Sequence, residues 1–396
     1  MELKLDAAKW RKMRGMRRVL DALGGDEGQT RYVGGAVRDD LLGLAVSDVD
    51  LATRLKPGEV IERLEKARIK AVPTGIDHGT ITAVSDGHTF EITTLRRDVS
   101  TDGRRATVAY TDDWKEDAAR RDFTINALSA DPATGEIFDY FGGLEDLQTH
   151  HIRFIGEPLQ RIAEDHLRIL RFFRFHARFG SGTLDAAALD ACTTRANDLM
   201  ALSRERIADE LLKLLAVPDP APTMAVMLER SILRPVLPEI RASSVPALQK
   251  LIAAEREAGV EPDALRRLAA LIPRDPVVAE DIAVRLKFSN KARKRFACSA
   301  NTEMHSSPES LAYRVGNACA TDRLLLAGNG DAAGTLAHWK APKLPISGGA
   351  LIARGLAEGP VVARTLRIIE DHWVEAGFPT GGEFARIVDK ALAGVT

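Results

Sequence analysis

The sequence has 396 residues, and its 55 lysines and arginines nearly balance 56 aspartates and glutamates, giving a formal net charge of −1. A chain of this length can form several domains, each with its own hydrophobic core. The balanced charge excludes a uniformly basic protein, so a surface that binds nucleic acid requires local clustering of basic residues. The sequence has no apolar run long enough to cross a bilayer, and its charged N-terminus lacks the apolar region of a signal peptide. We therefore expect a cytoplasmic protein with no membrane partner.

The three cysteines are Cys192, Cys298 and Cys319. They lie far apart in the sequence, and their spacing matches no common metal-binding motif. Because structural disulfides are rare in the cytosol, we expect all three thiols to be reduced.

The first predicted element is an amphipathic helix from Ala7 to Leu23, with a solvated basic face. It precedes the stretch from Arg31 to Thr53, which predicts a strand, a glycine turn, a short helix and a second strand. Gly34 and Gly35 lack a Cβ, so their backbone can approach a ligand closely. The N-terminus of the following helix favours phosphate, and Arg38 in its first turn adds a planar cation.

Asp48 and Asp50 are predicted to project from the same face of the second strand, because residues two apart share a face. Val49 and Leu51 then point into a core. Two carboxylates beside a phosphate-binding turn provide oxygen ligands for a divalent cation, and Mg²⁺ favours this combination of carboxylate and phosphate.

A helix is predicted from Pro57 to Lys66, followed by a strand from Ile69 to Val72. Two further strands, Gly79 to Val84 and His88 to Leu95, alternate in polarity and are joined by a Ser-Asp-Gly turn typical of a hairpin. Glu91 in the last strand is the candidate third carboxylate of the metal site. The alternative is an exposed strand glutamate without such a role.

The motif GGxVRDxLLG followed by DxDL resembles the nucleotidyltransferase superfamily, and within it the class II tRNA nucleotidyltransferases (CCA-adding enzymes) and the bacterial poly(A) polymerases. The resemblance implies an α+β fold, in which a head with a small mixed sheet is followed by helical parts. We expect a catalytic head over residues 1–140, a neck over 141–216, a body over 217–300 and a tRNA-binding tail over 301–396.

The segment from Arg97 to Asp113 is polar and is predicted to be a mobile loop. In the CCA-adding family the matching loop helps the switch from C to A addition, although an inert connector is also possible. The next segment, ARRDFTINAL, resembles the family element RRDFTxNAL. That resemblance implies that Arg121 contacts the nucleotide triphosphate, and we expect Asp122 to hold this arginine in place.

The segment from Pro158 to Gly180 is predicted to form one helix. Asp165, Arg168, Arg171 and Arg174 follow each other at steps of three and form a slanted ridge on that helix. Its other positions are strongly apolar, and buried arginines require anionic partners. Those partners are either acidic side chains of neighbouring helices or a nucleotide lying along the ridge.

The same segment resembles the family motif EDxxRxxRxxRF. The resemblance implies that Asp165 and Arg168 hydrogen-bond the incoming base, while further arginines reach toward the phosphates. Cytosine and adenine each offer an amino donor beside a ring acceptor, which matches a carboxylate next to a guanidinium. Uracil and guanine reverse this pattern and would leave buried polar groups unpaired.

The second half has helical spacing interrupted by proline-bearing linkers. The basic cluster from Lys287 to Phe296 either contacts tRNA phosphates or forms a solvated helix face. No His-Asp dipeptide occurs, so we expect no HD-type phosphohydrolase domain.

The resemblance implies an enzyme that adds C, C and A to the 3′ end of tRNA, with CTP, ATP and tRNA as its partners and Mg²⁺ as cofactor for two-metal phosphoryl transfer. No protein partner is evident. The implied metal ligands and catalytic residues are Asp48, Asp50 and Glu91. The implied nucleotide-binding residues are Gly34, Gly35, Arg38, Arg121, Asp165, Arg168, Arg171 and Arg174.

Three alternatives remain open. A poly(A) polymerase is disfavoured because the segment TGIDHGTIT stands where bacterial members carry a GRRF-type element, and because the net charge is not basic. An enzyme that adds only CC or only A has the same chemistry. A non-catalytic tRNA-binding protein would have lost a metal carboxylate, and all three candidates are present.

Overall fold

The computed structural model describes residue 5, residues 9–102 and residues 105–394. The backbone divides into two compact units, the first formed by Met1–Glu210 with Arg230–Val236 and the second by Leu211–Glu229 with Leu237–Thr396. The boundaries expected near residues 140, 216 and 300 stay predictions. No helix in the described part of the chain is both long and apolar enough to cross a membrane.

The strands of the described chain lie in its first 140 residues. They are β1 (Thr30–Val33), β2 (Asp50–Thr53), β3 (Lys70–Gly75), β4 (Thr80–Ser85), β5 (His88–Thr94), β6 (Arg96–Asp102), β7 (Arg105–Tyr110), β8 (Ser129–Ala130) and β9 (Ile137–Phe138). Among these residues, seven strands form one sheet in the order β3-β4-β5-β2-β1-β8-β9. The sheet is mixed, because β2 pairs with β5 in parallel while its other neighbours pair antiparallel.

The helices that begin in the first unit surround and follow this sheet. They are α1 (Arg14–Ala22), α2 (Gly35–Leu41), α3 (Pro57–Lys66), α4 (Trp114–Ala119), α5 (Gly143–Gln148), α6 (Pro158–Glu164), α7 (Arg168–Phe179), α8 (Ala186–Thr194) and α9 (Arg204–Leu215). Three 3-10 turns, Ile76–His78, Thr124–Asn126 and Ala196–Ala201, lie between these described helices.

The described residues of the second unit form helices but no strand. The helices are α10 (Ala221–Glu229), α11 (Val245–Glu257), α12 (Ala264–Leu271), α13 (Pro276–Arg285), α14 (Asn290–Ala300), α15 (Pro308–Val315), α16 (Asn317–Leu326), α17 (Gly330–Thr335), α18 (Gly348–Ala353), α19 (Pro360–Glu375) and α20 (Gly381–Ala393). One hydrophobic cluster runs from Leu251 to Leu336 and another from Leu351 to Ala391. The sheet in the first unit and the helical remainder confirm the predicted α+β fold.

The hairpin that carries Glu91 follows local turn chemistry. Asp86 and Gly87 both have positive φ angles, of 49° and 80°. This is the backbone of a two-residue turn whose twist matches that of the flanking strands. The predicted hairpin of β4 and β5 is therefore confirmed, and helix α3 has the predicted bounds.

Two predictions differ from the structure: the start of the first helix and the loop predicted from Arg97 to Asp113. Helix α1 begins at Arg14 after a 3-10 turn at Lys9–Lys12, while residues 7 and 8 lie outside the described residues. The segment from Arg97 to Asp113 was expected to be a loop, but most of it belongs to the antiparallel pair β6 and β7. Backbone pairing stabilises these strands, and a polar sequence gives no sign of it. Residues 103 and 104 lie outside the described residues.

The neck segment is broken where one helix was predicted. Helix α6 ends at Glu164 and α7 begins at Arg168, because Asp165 adopts an extended backbone with φ −151° and ψ 108°. The Asp165 carboxylate accepts a hydrogen bond from the Leu167 N–H at 3.1 Å. Such side-chain bonds compete with helical hydrogen bonds, so the aspartate ends α6 and stabilises the break before α7.

The prediction of three reduced cysteines is wrong for two of them. Cys298 and Cys319 form a disulfide that joins α14 to α16, with their Cα atoms 6.1 Å apart. Their 21-residue separation gave no hint of this pairing, because only the packing of the two helices brings the side chains together. The third thiol, Cys192, is free and buried.

Buried ion pairs connect the helices of the second unit. Arg266 donates to Glu255 at 2.6 Å and to Asp322 at 2.8 Å, and Arg267 donates to the other Glu255 oxygen at 2.9 Å. Asp322 also pairs with Arg295 of α14 at 2.8 Å. Each buried charge in this cluster has an opposite partner, which such an apolar setting requires.

Gly143 is predicted to be essential for the packing of α5 against the 3-10 turn that ends at Asn126. A Cβ at this position would overlap the Thr124 carbonyl, whose carbon would lie 2.8 Å away. We expect Gly143→Ala to lower the free energy of unfolding by about 1–3 kcal/mol, measured by urea denaturation.

The matched control is Gly58→Ala, because a Cβ there would meet nothing within 4 Å. This helical substitution is expected to be neutral or to stabilise by about 0.5 kcal/mol. Equal stability of the two variants would contradict the packing argument.

Candidate active site

Three carboxylates lie at one end of the central strands. Asp50 is the Cα partner of Glu91 across the parallel pair β2–β5, and of Val33 across β1–β2. Neighbouring strands are about 4.8 Å apart, so Asp50 and Glu91 are adjacent. Val49 and Leu51 are buried, as the alternation predicts. Asp48 is exposed and lies outside the strand in which it was predicted, because β2 begins only at Asp50.

The electrostatics of Asp50 show that these carboxylates interact. Its pKa is raised above the ordinary value of 3.8, first by burial and then by the negative charges of Glu91 and Asp48. The Arg121 guanidinium opposes this shift. Part of the Asp50 side chain remains exposed, although the surrounding protein removes much of its hydration. The cluster therefore favours a cation or a proton at this place.

The donor set fits a cation site that a substrate completes. Within the described ranges, no group of three or more Asp, Glu, His or Cys side chains is close enough to hold a metal without other ligands. Mg²⁺ usually takes one or two carboxylates and completes its shell with waters and substrate phosphates. The roles of Asp48, Asp50 and Glu91 as metal ligands stay predictions.

The glycine turn directly follows β1 and is approached by two guanidinium groups. Gly34 has a φ of 66°, and a Cβ on it would lie 2.8 Å from Arg121 Nη1. A Cβ on Gly35 would lie 3.6 Å from Arg38 Nη2. The turn thus requires glycine at position 34 for both its backbone and its arginine neighbour, and one of the two cations, Arg121, also acts on the charge of Asp50.

The Arg38 side chain is buried and bonded to other protein groups. Its side chain donates to Asp39 Oδ1 from Nε at 2.8 Å and from Nη2 at 2.7 Å, and to Asn126 Oδ1 from Nη1 at 2.5 Å. The guanidinium also lies 4.2 Å from the ring centroid of Phe179. Burial lowers its pKa, which the Asp39 charge counteracts. Protein groups therefore fix the position of this arginine.

The expected role of Asp122 is wrong. Asp122 Oδ2 accepts from Arg171 Nε at 2.6 Å and pairs with its Nη2 at 2.5 Å, so it holds the neck arginine instead of Arg121. Burial alone would raise the Asp122 pKa, but Arg171 and the hydrogen bond from Asn126 lower it on balance. Arg121 lies 3.6 Å from Asp117 instead.

Acidic partners occupy the neck arginines, as one of the two alternatives predicted. Arg168 Nη1 donates to Glu164 at 2.5 Å, and Arg174 Nε donates to Glu210 at 2.6 Å. Glu210 is also 3.7 Å from Arg171 Nη1. These three arginines follow each other on α7, as the steps of three predict.

Asp165 does not belong to that ridge, so the four-residue ridge is wrong. It lies in the break before α7, and its Oδ2 accepts from Arg206 Nη2 at 2.7 Å. The i,i+3 spacing suggested a direct neighbour relation with Arg168, which requires an unbroken helix. The structure instead gives each residue its own partner, Arg206 for Asp165 and Glu164 for Arg168.

The sequence argument missed several residues that order this site. Arg206 and Glu210 are four apart in SRERIADEL, a spacing that places both on one face of α9 and was available as a signal. Asn126 lies in the RRDFTINAL segment with two of its partners, Arg121 and Asp122, but its third partner, Arg38, and the Arg171 bound by Asp122 come from distant parts of the chain. Their pairing depends on tertiary contacts that no local pattern predicts.

Comparisons with known proteins agree with this arrangement. The family described as "Poly A polymerase head domain" matches residues 30–153, which span the sheet and the glycine turn. A second family, described as "Probable RNA and SrmB- binding site of polymerase A", matches residues 183–243. The fold and the site define a nucleotidyltransferase.

Similarity to individual proteins extends over nearly the whole chain. The chain is 32% identical over 382 residues to the mitochondrial CCA tRNA nucleotidyltransferase 1 of Mus musculus, covering 92% of this chain and 87% of that protein. A CCA-adding enzyme of Lacticaseibacillus paracasei is 42% identical over 186 residues, covering 46% of this chain and 45% of that protein. The crystal structure of the Bacillus stearothermophilus CCA-adding enzyme in complex with CTP superposes with a TM-score of 0.75 at 26% identity, covering 96% and 98% of the two chains. The chain belongs to the CCA tRNA nucleotidyltransferase family.

The raised pKa of Asp50 predicts a pH-dependent stability effect. A carboxyl group whose pKa is higher in the folded state destabilises that state when ionised, and the penalty disappears as pH falls and the group is protonated. We therefore expect Asp50→Asn to raise the melting temperature at pH 7.5 in the presence of a chelator. The gain should be smaller at pH 5.

Asp77→Asn, which changes an exposed aspartate of the same sheet region, is the control and should show no such gain. Thermal unfolding of the three proteins at both pH values tests this. A gain for Asp50→Asn that does not change with pH would contradict the charge repulsion assigned to Asp50.

Proposed function

We propose that this chain adds C, C and A to the 3′ end of tRNA, using CTP and ATP. The observation that carries the proposal is the 32% identity to a CCA tRNA nucleotidyltransferase over 92% of the chain. The adjacent carboxylates of β2 and β5, beside a glycine turn and two arginines, provide the chemistry that phosphoryl transfer needs.

Nucleotidyl transfer of this type uses divalent cations, and Mg²⁺ is the proposed ion. Asp48, Asp50 and Glu91 would hold it, and the bound ion supplies charge neutralisation at the phosphates and activation of the attacking hydroxyl. Gly34 and Gly35 let the triphosphate approach the backbone, because no Cβ occupies that space.

The triphosphate is proposed to bind between the turn and helix α7. Arg121 and Arg38 flank the turn, and three of the five N–H groups of Arg38 are used by Asp39 and Asn126. The remaining two can donate to phosphate oxygens. Arg171 and Arg174 supply further positive charge, which their acidic partners hold in place.

The base is proposed to meet Asp165 and Arg168. Arg168 donates three of its N–H groups to Glu164 and to the backbone oxygens of Arg161 and Arg120. Its Nε–H and one Nη2–H remain available to a base. Asp165 accepts two hydrogen bonds, and a carboxylate has about four acceptor sites. Arg168 therefore retains hydrogen-bond donors and Asp165 retains acceptors. These match the ring acceptor and the amino donor of cytosine and adenine.

The alternative activities, poly(A) synthesis and the addition of only CC or only A, would make different products. The two profiles named for poly(A) polymerase cover residues 30–153 and 183–243, whereas the similarity to a CCA enzyme covers 92% of the chain. This favours CCA addition, while CC-only or A-only addition differs in the product alone. A cytoplasmic location stays a prediction, because the mouse relative is named as mitochondrial.

Incubation of a tRNA that lacks its terminal CCA with labelled CTP, ATP or both tests the proposal. We expect two additions with CTP alone, none with ATP alone and three with both. Asp48→Ala should lower the rate by ~100-fold or more, because the proposed cation loses a ligand, while tRNA binding persists.

Asp77→Ala is the control and should keep full activity, since Asp77 is exposed and lies outside the proposed site. A long A tail made from ATP alone would replace the proposal with a poly(A) polymerase. Binding of tRNA without any incorporation would replace it with a tRNA-binding protein.

A further inference from the structure

A polar pocket whose lining includes none of the three carboxylates lies in the first unit. Its volume is about 410 Å³, within the range of ligand sites. It lies where the end of α8 and the following 3-10 turn meet the turn from Arg230 to Pro235. Polar groups of Thr193, Asn197 and Ser231 line it together with Arg230 and Arg234.

The charges of this pocket favour an anion. Arg234 is exposed, and its guanidinium has no ion-pair or hydrogen-bond partner among the described residues. Arg230 lies 3.6 Å from Asp190, but both side chains are largely exposed, and such pairs contribute little. The pocket lining contains two arginines and no acidic residue.

The lining also favours a backbone phosphate over a free nucleotide. No aromatic side chain lines the pocket, so a base would find no stacking surface. Contacts to phosphate need only guanidinium, amide and hydroxyl donors, which Arg230, Arg234, Asn197 and Ser231 supply. Ser231 adopts a φ of 56°, which is unfavourable for a residue with a Cβ and indicates that surrounding contacts hold this turn in place.

We propose that this pocket binds the phosphate backbone of the tRNA, with Arg230 and Arg234 as its two cationic contacts. The proposal rests on the proposed function, and it assigns a site to the region 183–243 that matches an RNA-binding family. The site holds the body of the tRNA while the 3′ end of the tRNA lies at the catalytic carboxylates.

The test compares Arg230→Ala/Arg234→Ala with Arg17→Ala/Arg63→Ala, which removes two exposed arginines of α1 and α3 and the same net charge. For the pocket variant we expect the KM for tRNA lacking CCA to rise about tenfold, with an unchanged KM for CTP. The salt dependence of tRNA binding should weaken by about one unit of slope per lost phosphate contact.

A pocket variant that binds tRNA as well as the control variant would overturn the proposed site. Wild-type protein that neither binds nor extends tRNA would instead overturn the proposed function. The two failures are therefore distinguishable in the same set of measurements.

A separate observation concerns Asn126, which hydrogen-bonds Arg38 and Arg121 directly and is linked to Arg171 through Asp122. Its Oδ1 accepts from Arg38 at 2.5 Å, and its backbone oxygen accepts from Arg121 at 3.4 Å. Its Nδ2 donates to Asp122 at 2.9 Å, and the other Asp122 oxygen binds Arg171. Asn126 is 7% exposed, so water cannot replace these bonds freely.

Only a carboxamide satisfies both of its side-chain partners. The Arg38 guanidinium requires an acceptor and the Asp122 carboxylate requires a donor, and Asn offers one of each. An apolar side chain would leave both charged groups without this partner in a buried place. An aspartate would keep the acceptor for Arg38 but would place a second negative charge against Asp122.

We infer that Asn126 is a positioning residue that aligns Arg38 with Arg171 for the triphosphate. This inference also rests on the proposed function, because it assumes that both arginines contact the nucleotide. It differs from a structural role, since it predicts an effect on nucleotide binding that depends on Arg38.

The test variant is Asn126→Leu, with Thr124→Val as matched control on the same 3-10 turn. Thr124 Oγ1 is buried and donates to Asp146 at 2.5 Å, away from the arginines. Asn126→Leu should raise the KM for both CTP and ATP about tenfold, with an unchanged KM for tRNA. Thr124→Val should leave all three KM values unchanged even where it lowers stability.

Asn126→Asp, which retains the acceptor for Arg38, should raise the nucleotide KM less than Asn126→Leu. Added to Arg38→Ala, Asn126→Leu should raise the nucleotide KM by less than twofold, because its main partner is already absent. Additive effects, or an equal effect of Thr124→Val, would overturn the inference. Inactive wild-type protein would instead count against the proposed function.

Discussion

The parallel pairing of β2 with β5 is the constraint on which the site depends. It places Asp50 beside Glu91, with Asp48 two residues before the strand begins, and burial together with the charges of Glu91 and Asp48 raises the pKa of Asp50. The antiparallel pairing of β1 with β2 then brings the glycine turn next to the same carboxylates. A concentrated negative charge and a backbone open to phosphate thus result from two strand registers.

The arginines around this turn are fixed by acidic partners before any ligand binds. Glu164, Asp122 and Glu210 each hold a guanidinium of α7, and Asp39 holds Arg38. These guanidinium groups are partly or fully shielded from water, and a shielded cation without a partner would destabilise the fold. The pairs also set the directions of the remaining N–H groups, which reduces the reorganisation that binding requires.

Local patterns predicted the elements that depend on local physics. The hairpin turn at Asp86 and Gly87 and the helix from Pro57 to Lys66 follow backbone preferences of glycine and proline, and the structure has both. The prediction of an unbroken neck helix was wrong because Asp165 ends α6 with an extended backbone and its side chain stabilises the break. The prediction of a loop after β5 was wrong because most of this largely polar segment pairs as β6 and β7.

The sequence alone determined the family resemblance, the α+β class and the positions of the three carboxylates and the neck arginines, because motif spacing and side-chain alternation are properties of neighbouring residues. Only the tertiary structure decided which charge meets which. It paired Asp122 with Arg171, Asp165 with Arg206 and Cys298 with Cys319, and it placed Asn126 among the arginines. These partners are distant in the chain, and their contacts arise from packing that a linear pattern does not contain.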